Sequence, residues 1–256
     1  MTSQALYAQA LKNMRATVHE LARRVPQPKE VPFGDSFGYR YVEKTIHQAL
    51  VQKLARYASS LQAAQILLDA GFLQEQAALQ RMLDEIQEDI SFLSFSIIFR
   101  NSTPLHQEYL DAFFEEEFDA DTALASTQKR PMTSRQKIRA YIARSSGKAS
   151  DPSTGLEAAR TISKTYSGYV HAASPQIMDM YGGTPPRFYM SGMKDTPREE
   201  EHHDDLWNYY YRGILAFAFV AKAFGDDGMC ANISSFAERF SKSESKGYES
   251  ILRGEA

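Results

Sequence analysis

Apolar residues recur along this chain at the three-then-four spacing of helix faces, most clearly in its middle. Between Ala77 and His106 they fall at Leu79, Met82, Leu83, Ile86, Ile90, Leu93, Ile97 and Ile98, which is one side of a helix. Phe92, Phe95 and Phe99 widen the stripe until it nearly encircles the rod, so the pattern predicts a helix in the middle of a domain. Its first half is polar, with Arg81, Asp84, Glu85, Glu88 and Asp89. Arg81 and Glu85 are four residues apart and share a face. If that face is buried, the charges must be paired or hydrogen-bonded. Two arrangements fit: a solvated edge with an intrahelical ion pair, or a polar network inside a bundle.

The same spacing at Leu6, Ala10, Leu11, Met14, Val18, Leu21 and Ala22 predicts an amphipathic helix over 3–24. Pro26, Pro28 and Pro32 end it, and the segment 25–40 reads as a loop. A second helix runs from near Tyr39 to Gly71, a C-cap or kink. Thr103 and Pro104 suit the N-cap and first position of another helix. That helix is acidic, through Glu108, Asp111 and Glu115, and the charge then reverses between Lys129 and Lys148. Thr133 with Gln136 fits a capping box opening a short basic helix, and Thr154 with Glu157 fits another opening a helix that Pro175 kinks or divides. The Gly- and Pro-rich segment 181–197 reads as an ordered loop with a two-stranded excursion around Arg187 to Met193. Thr196, Pro197 and Glu199 start a further helix, 225–228 is a turn, and a last helix spans about 232–252.

The sum is an all-α antiparallel bundle with additional helices packed on it, roughly eight helices in all and little strand. We expect one helical domain over 1–256, with a core bundle at about 39–181 and a C-terminal helical extension at about 196–253.

Hydrophobic residues are 43% and charged residues 24% of the 256, ordinary for a globular protein. A net charge of −3 argues against a protein that coats nucleic acid, while leaving local patches open. One cysteine, Cys230, permits no intrachain disulfide and suits a reducing compartment. The first residues carry no apolar block of a signal peptide, and the longest apolar run, Ile214 to Ala221, is far too short to span a bilayer. The expectation is a cytoplasmic protein with no membrane partner.

Four segments carry candidate chemistry. Arg100 and His106 bracket a polar turn. A histidine can transfer protons near neutral pH, and an arginine can stabilise charge at a phosphate. This Arg–polar–His arrangement resembles the signature of HEPN ribonucleases, all-helical proteins of bacterial defence and toxin systems, although Pro104 lies inside the motif here. The plain alternative is that Arg100 caps a helix and His106 sits on a helix surface. The second segment, Tyr166-Ser167-Gly168-Tyr169-Val170-His171, pairs with Gln80 to Glu85. Together they are similar to uncharacterised bacterial helical proteins grouped near the HEPN superfamily, over roughly Tyr39 to Tyr181. The resemblance implies that His171 faces Arg81 and Glu85 across the bundle, with Glu85 orienting the imidazole and Arg81 on a phosphate. A core histidine satisfied by a buried carboxylate fits the same residues.

Third, Glu199 with His202 and Glu200 with His203 have the E-x-x-H spacing of helical di-iron sites, but no other such pair exists in the chain. A charged first helical turn is the simpler explanation, and no metal or cofactor is expected. Fourth, the basic helix at Arg135, Arg139 and Arg144 with Tyr141 fits an RNA groove or a face paired with acidic neighbours. Trp207 and Tyr209 to Tyr211 suit a core or a homodimer seam.

The leading expectation is a metal-independent endoribonuclease with His171 or His106 as acid/base and Arg81 or Arg100 on the phosphate. Glu85 assists, and Tyr166, Ser167, Arg135 and Arg139 are the substrate contacts. A non-catalytic nucleotide- or protein-binding module and a metal-dependent helical hydrolase are the alternatives.

Overall fold

A computed structural model describes residues 3–33, 36–116, 120, 122, 124–127, 131–145 and 166–242. They are mostly helical: α1 (Ser3–Ala22), α2 (Ile46–Asp69), α3 (Leu73–Ile98), α4 (Pro104–Phe114), α5 (Arg135–Ser145), α6 (Ser174–Met178), α7 (Arg198–Ala223) and α8 (Asp227–Lys242). Residues 166–170 are also helical. Two short antiparallel ribbons complete the set, β1 (Lys29–Phe33) with β2 (Ser36–Arg40) and β3 (Tyr181–Gly182) with β4 (Arg187–Phe188).

α3 is the central rod, packed against α2, α5 and α7. Ile90, Phe92 and Leu93 are wholly buried, as is Ser94. α7 runs through the same core and touches α1, α2, α3 and α8, with Tyr210 and Val220 wholly buried. The region expected as a C-terminal extension therefore supplies one side of the main body. Gly213 permits the close approach of α7: a Cβ there would stand 2.5 Å from the Tyr57 ring and 3.1 Å from Met14 Cε. The Tyr57 hydroxyl then donates to the Tyr209 carbonyl at 2.8 Å, joining α2 to α7 through a buried bond.

Local chemistry sets the helix ends. Thr45 Oγ1 accepts from Gln48 N while Gln48 Oε1 accepts from Thr45 N, a capping box that starts α2 at Ile46, about seven residues later than its apolar pattern suggested. Gly71, with φ of 80°, closes α2, its N–H bonding Leu68 O while that of Phe72 bonds Leu67 O. Arg100 plays the same part for α3 without being glycine: its φ is 51°, its N–H bonds Ile97 O, and that of Asn101 bonds Ser96 O.

Several expectations change. The segment expected as a loop over 25–40 contains the β1–β2 ribbon, in which Pro32 pairs with Phe37; a two-stranded ribbon has unpaired edges where a proline is tolerated. The Thr133–Gln136 capping box does not form, since Thr133 Oγ1 is buried without a partner. The turn expected at 225–228 is confined to Gly225 and Asp226, and α8 starts at Asp227, earlier than expected, with Asp226 Oδ1 accepting from Met229 N at 2.7 Å. The Thr154–Glu157 helix start lies outside the described residues.

Candidate functional site

The polar half of α3 meets cations from three other elements. Asp89, 1% exposed, receives Lys53 Nζ of α2 at 2.7 Å and Arg135 Nη1 of α5 at 2.5 Å. Arg135 also donates to the Glu85 carbonyl at 3.3 Å. One turn further along α5, Arg139 Nε donates to Glu88 at 2.7 Å. Burial opposes the Arg135 charge, but the field and hydrogen bonds of Asp89 more than offset this and leave its pKa raised. Burial pushes the Glu88 carboxyl up, and Arg139 only partly counters it. Lys53 also sits over the rings of Phe113, at 4.7 Å, and Tyr109, at 5.8 Å. Arg135 and Arg139, expected as substrate contacts, thus point inward and tie α5 to α3.

The other side of α3 faces α7. Asp84 forms an ion pair with Arg212 at 2.8 Å and accepts from the Tyr209 hydroxyl at 3.0 Å. Gln80, between Asp84 and Gln76, is wholly buried and neither of its amide atoms has a hydrogen bond. Gln76 Oε1 accepts from His202 Nδ1 at 2.6 Å, so the imidazole holds its proton on Nδ1 when neutral. Burial lowers the His202 pKa. The Tyr166 hydroxyl donates to Asp205 at 2.6 Å, and burial raises the pKa of that carboxyl despite the bond. His202 and Asp205 therefore turn to separate partners, away from Glu199 and His203, which lie 3.7 Å apart. Among the described residues no three His, Cys, Asp or Glu side chains gather in a way that could hold a metal.

Arg81 and Glu85 form the intrahelical ion pair, at 2.7 Å, on a partly exposed edge. Arg81 Nη1 is nevertheless buried and without a hydrogen bond. His171 is exposed, at the end of the helical residues 166–170, where Ala172 with φ of 50° turns the chain. No hydrogen bond or ion pair to Arg81 or Glu85 joins it among the described residues. Ser167 is half-buried, and its carbonyl accepts from His171 N at 3.0 Å.

At the other histidine, sequence neighbours impose a structural role. His106 stands third in α4, where Thr103 N donates to its Nδ1 at 3.0 Å in a capping box. With Nδ1 accepting, the proton sits on Nε2 and bonds the Phe92 carbonyl at 3.3 Å. The ring is 2% exposed and stacks on Phe92 with centroids 4.0 Å apart and planes 4° apart. Burial lowers its pKa, against the pull of the Phe92 and Thr103 carbonyls. The expected helix-surface histidine is therefore a core one. Arg100 remains exposed beyond the C-terminus of α3.

Beside this turn lies an open groove of about 450 Å³, lined by Thr103, Pro104, Leu105 and Glu108 of the α4 start and by Lys137, Ala140, Tyr141 and Arg144 of α5. Lys137 and Arg144 are seven residues apart, hence on one side of the helix, and opposite the side of Arg135 and Arg139. Both are exposed and neither makes an ion pair among the described residues. Sequence reasoning singled out this helix but assigned its role to the inward pair. The signal for the outward pair was the seven-residue spacing with Tyr141 and Ala140 between.

The aromatic cluster of α7 packs within the chain: Trp207 stacks on Tyr211 and Phe240, and Tyr210 on Tyr7. Among the described residues no helix is long and apolar enough to cross a membrane. Comparison of the chain with protein-family models, with curated proteins and with solved structures gives no match.

Proposed function

We propose that the chain is an RNA-binding helical module on a HEPN-like bundle, and that RNA lies in the groove between α4 and α5. The observation that carries this reading is the pair Lys137 and Arg144, two exposed cations on one side of α5 that make no ion pair among the described residues. Phosphate contacts of this kind supply most of the affinity of non-specific nucleic-acid binding. The N-terminus of α4 borders the groove and adds a favourable dipole for an anion. Glu108 is the one carboxylate among the lining residues and sets where a phosphate does not sit. Binding rather than cleavage fits this groove, because no histidine is among its lining residues and His106, on the same helix α4, has both nitrogens engaged in the core.

The test is fluorescence anisotropy with a short single-stranded RNA across a salt series. Replacing both Lys137 and Arg144 by Ala is expected to weaken binding and to flatten the salt slope by about 0.7 for each lost contact. An unchanged slope would remove the groove as the site.

A second reading, metal-independent endoribonuclease activity, is favoured by one observation: His171 is exposed, and its side chain makes no hydrogen bond or ion pair among the described residues. It is tested by incubating RNA with the protein in chelator. Cleavage that His171→Ala abolishes supports it; cleavage that His171→Ala leaves intact, or none at all, contradicts it.

A further inference from the structure

We propose that the cavity between α1, α7 and α8 binds a small amphipathic carboxylate, a function separate from the α4–α5 groove. Its volume is about 590 Å³, within the ~300–1,000 Å³ usual for small-molecule sites. The floor is apolar: Met14, Ile214, Phe217 and Phe236 are buried, with Met229 and Ile233 beside them. Methionines adapt to irregular apolar ligands. The rim is polar, and among the described residues that line the cavity Arg239 is the one charged side chain, with no Asp or Glu.

Arg239 is exposed and has no ion pair or side-chain hydrogen bond among the described residues. Its guanidinium lies 5.7 Å from the Phe236 ring centre, which places the charge over the apolar floor. Asn13 lends a donor: its Oδ1 already accepts from Gln9 Nε2 at 2.7 Å, which leaves its Nδ2 hydrogens for a ligand acceptor. Asn232 adds a second amide. One guanidinium fork with amide donors matches a carboxylate, which accepts two parallel N–H bonds. An apolar tail would lie on the floor and displace water from it. A cationic head would meet Arg239 with like charge.

The probe is decanoate, titrated by calorimetry against the full chain, with decanol and decylamine as comparison ligands. One-to-one saturable binding of decanoate is expected, at least tenfold weaker for decanol and absent for decylamine. Arg239→Gln should weaken decanoate at least tenfold while leaving decanol unchanged. Ala16→Trp, at an exposed lining position, should block the cavity and abolish binding with the circular-dichroism melt unaltered. The proposal is overturned by absence of saturable binding at millimolar decanoate. It is equally overturned if Arg239→Gln binds decanoate as well as the parent, if decanol or decylamine binds as tightly, or if folded Ala16→Trp still binds.

Discussion

Arg135 and Lys137 stand two residues apart on α5, yet they face opposite environments. Arg135 meets Asp89, a carboxylate 1% exposed, and together with Arg139 fastens α5 to the central rod. Lys137, with Arg144, faces an open groove that Glu108 also lines, and neither cation makes an ion pair among the described residues. A buried carboxylate has a strong need for a cation, because leaving it alone in the interior costs several kcal/mol. An exposed lysine has no such need and keeps its charge for whatever arrives. Charge along the sequence is thus a poor guide to role until it is known which side of a helix meets a buried partner.

The comparison breaks most visibly if its inward half is disrupted. Asp89→Ala leaves Lys53 without its anion and Arg135 with only Glu88 at 3.8 Å, and is expected to cost about 3 kcal/mol, the lower end for a broken buried pair because Arg135 is partly exposed. Urea denaturation measures it, and a loss below about 1 kcal/mol would mean the cluster behaves as a surface one.

His106→Ala comes next, at about 2–3 kcal/mol, since it removes a cap, a buried hydrogen bond and a stacked ring. The same residue gives a pH signature. Its folded pKa is lowered by burial, so the unfolded chain binds the proton more readily. The stability due to the neutral ring is therefore present above an ordinary imidazole pKa of about 6.5 and is lost as pH falls below it. His202 acts in the same direction, whereas Glu88 and Asp205, with raised pKa values, favour the folded state as pH falls through the carboxylate range. Comparing His106→Asn with the parent between pH 7 and pH 5 isolates the imidazole, and the variant should show the weaker loss of stability on acidification.

The smallest effect has the opposite sign. Arg100 holds a left-handed conformation that costs a side chain roughly 1 kcal/mol. Arg100→Gly should raise stability by about 0.5–1 kcal/mol in the same denaturation assay. A loss of stability would mean that the arginine side chain contributes contacts beyond its backbone role.

Much of the architecture was legible. The apolar stripe of α3, the Thr103–Pro104 start of α4 and the Gly71 stop of α2 all follow from local rules that tertiary contacts did not override. Both readings of the polar stretch also hold, in different places: Arg81 with Glu85 is the partly exposed intrahelical pair, while Asp84, Glu88 and Asp89 belong to buried networks. The start of α2 was readable too, in Thr45 and Gln48, but its apolar pattern blurred into the ribbon before it. His106 was harder. Its burial depends on Phe92 and Tyr141, which arrive from other helices at 4.0 and 4.6 Å, and no local pattern reports that. The division of α5 into two faces was hidden for the same reason, because the carboxylates that select Arg135 and Arg139 lie some fifty positions upstream.

The most direct measurement is the salt slope of RNA binding for Arg139→Gln beside that for the Lys137→Gln, Arg144→Gln pair, each taken well below its melting temperature. Arg139→Gln is expected to lower thermal stability and keep the parent slope, and the outward pair to keep the melt and lose slope. A flattened slope in Arg139→Gln, with the outward pair binding like the parent, would contradict this expectation.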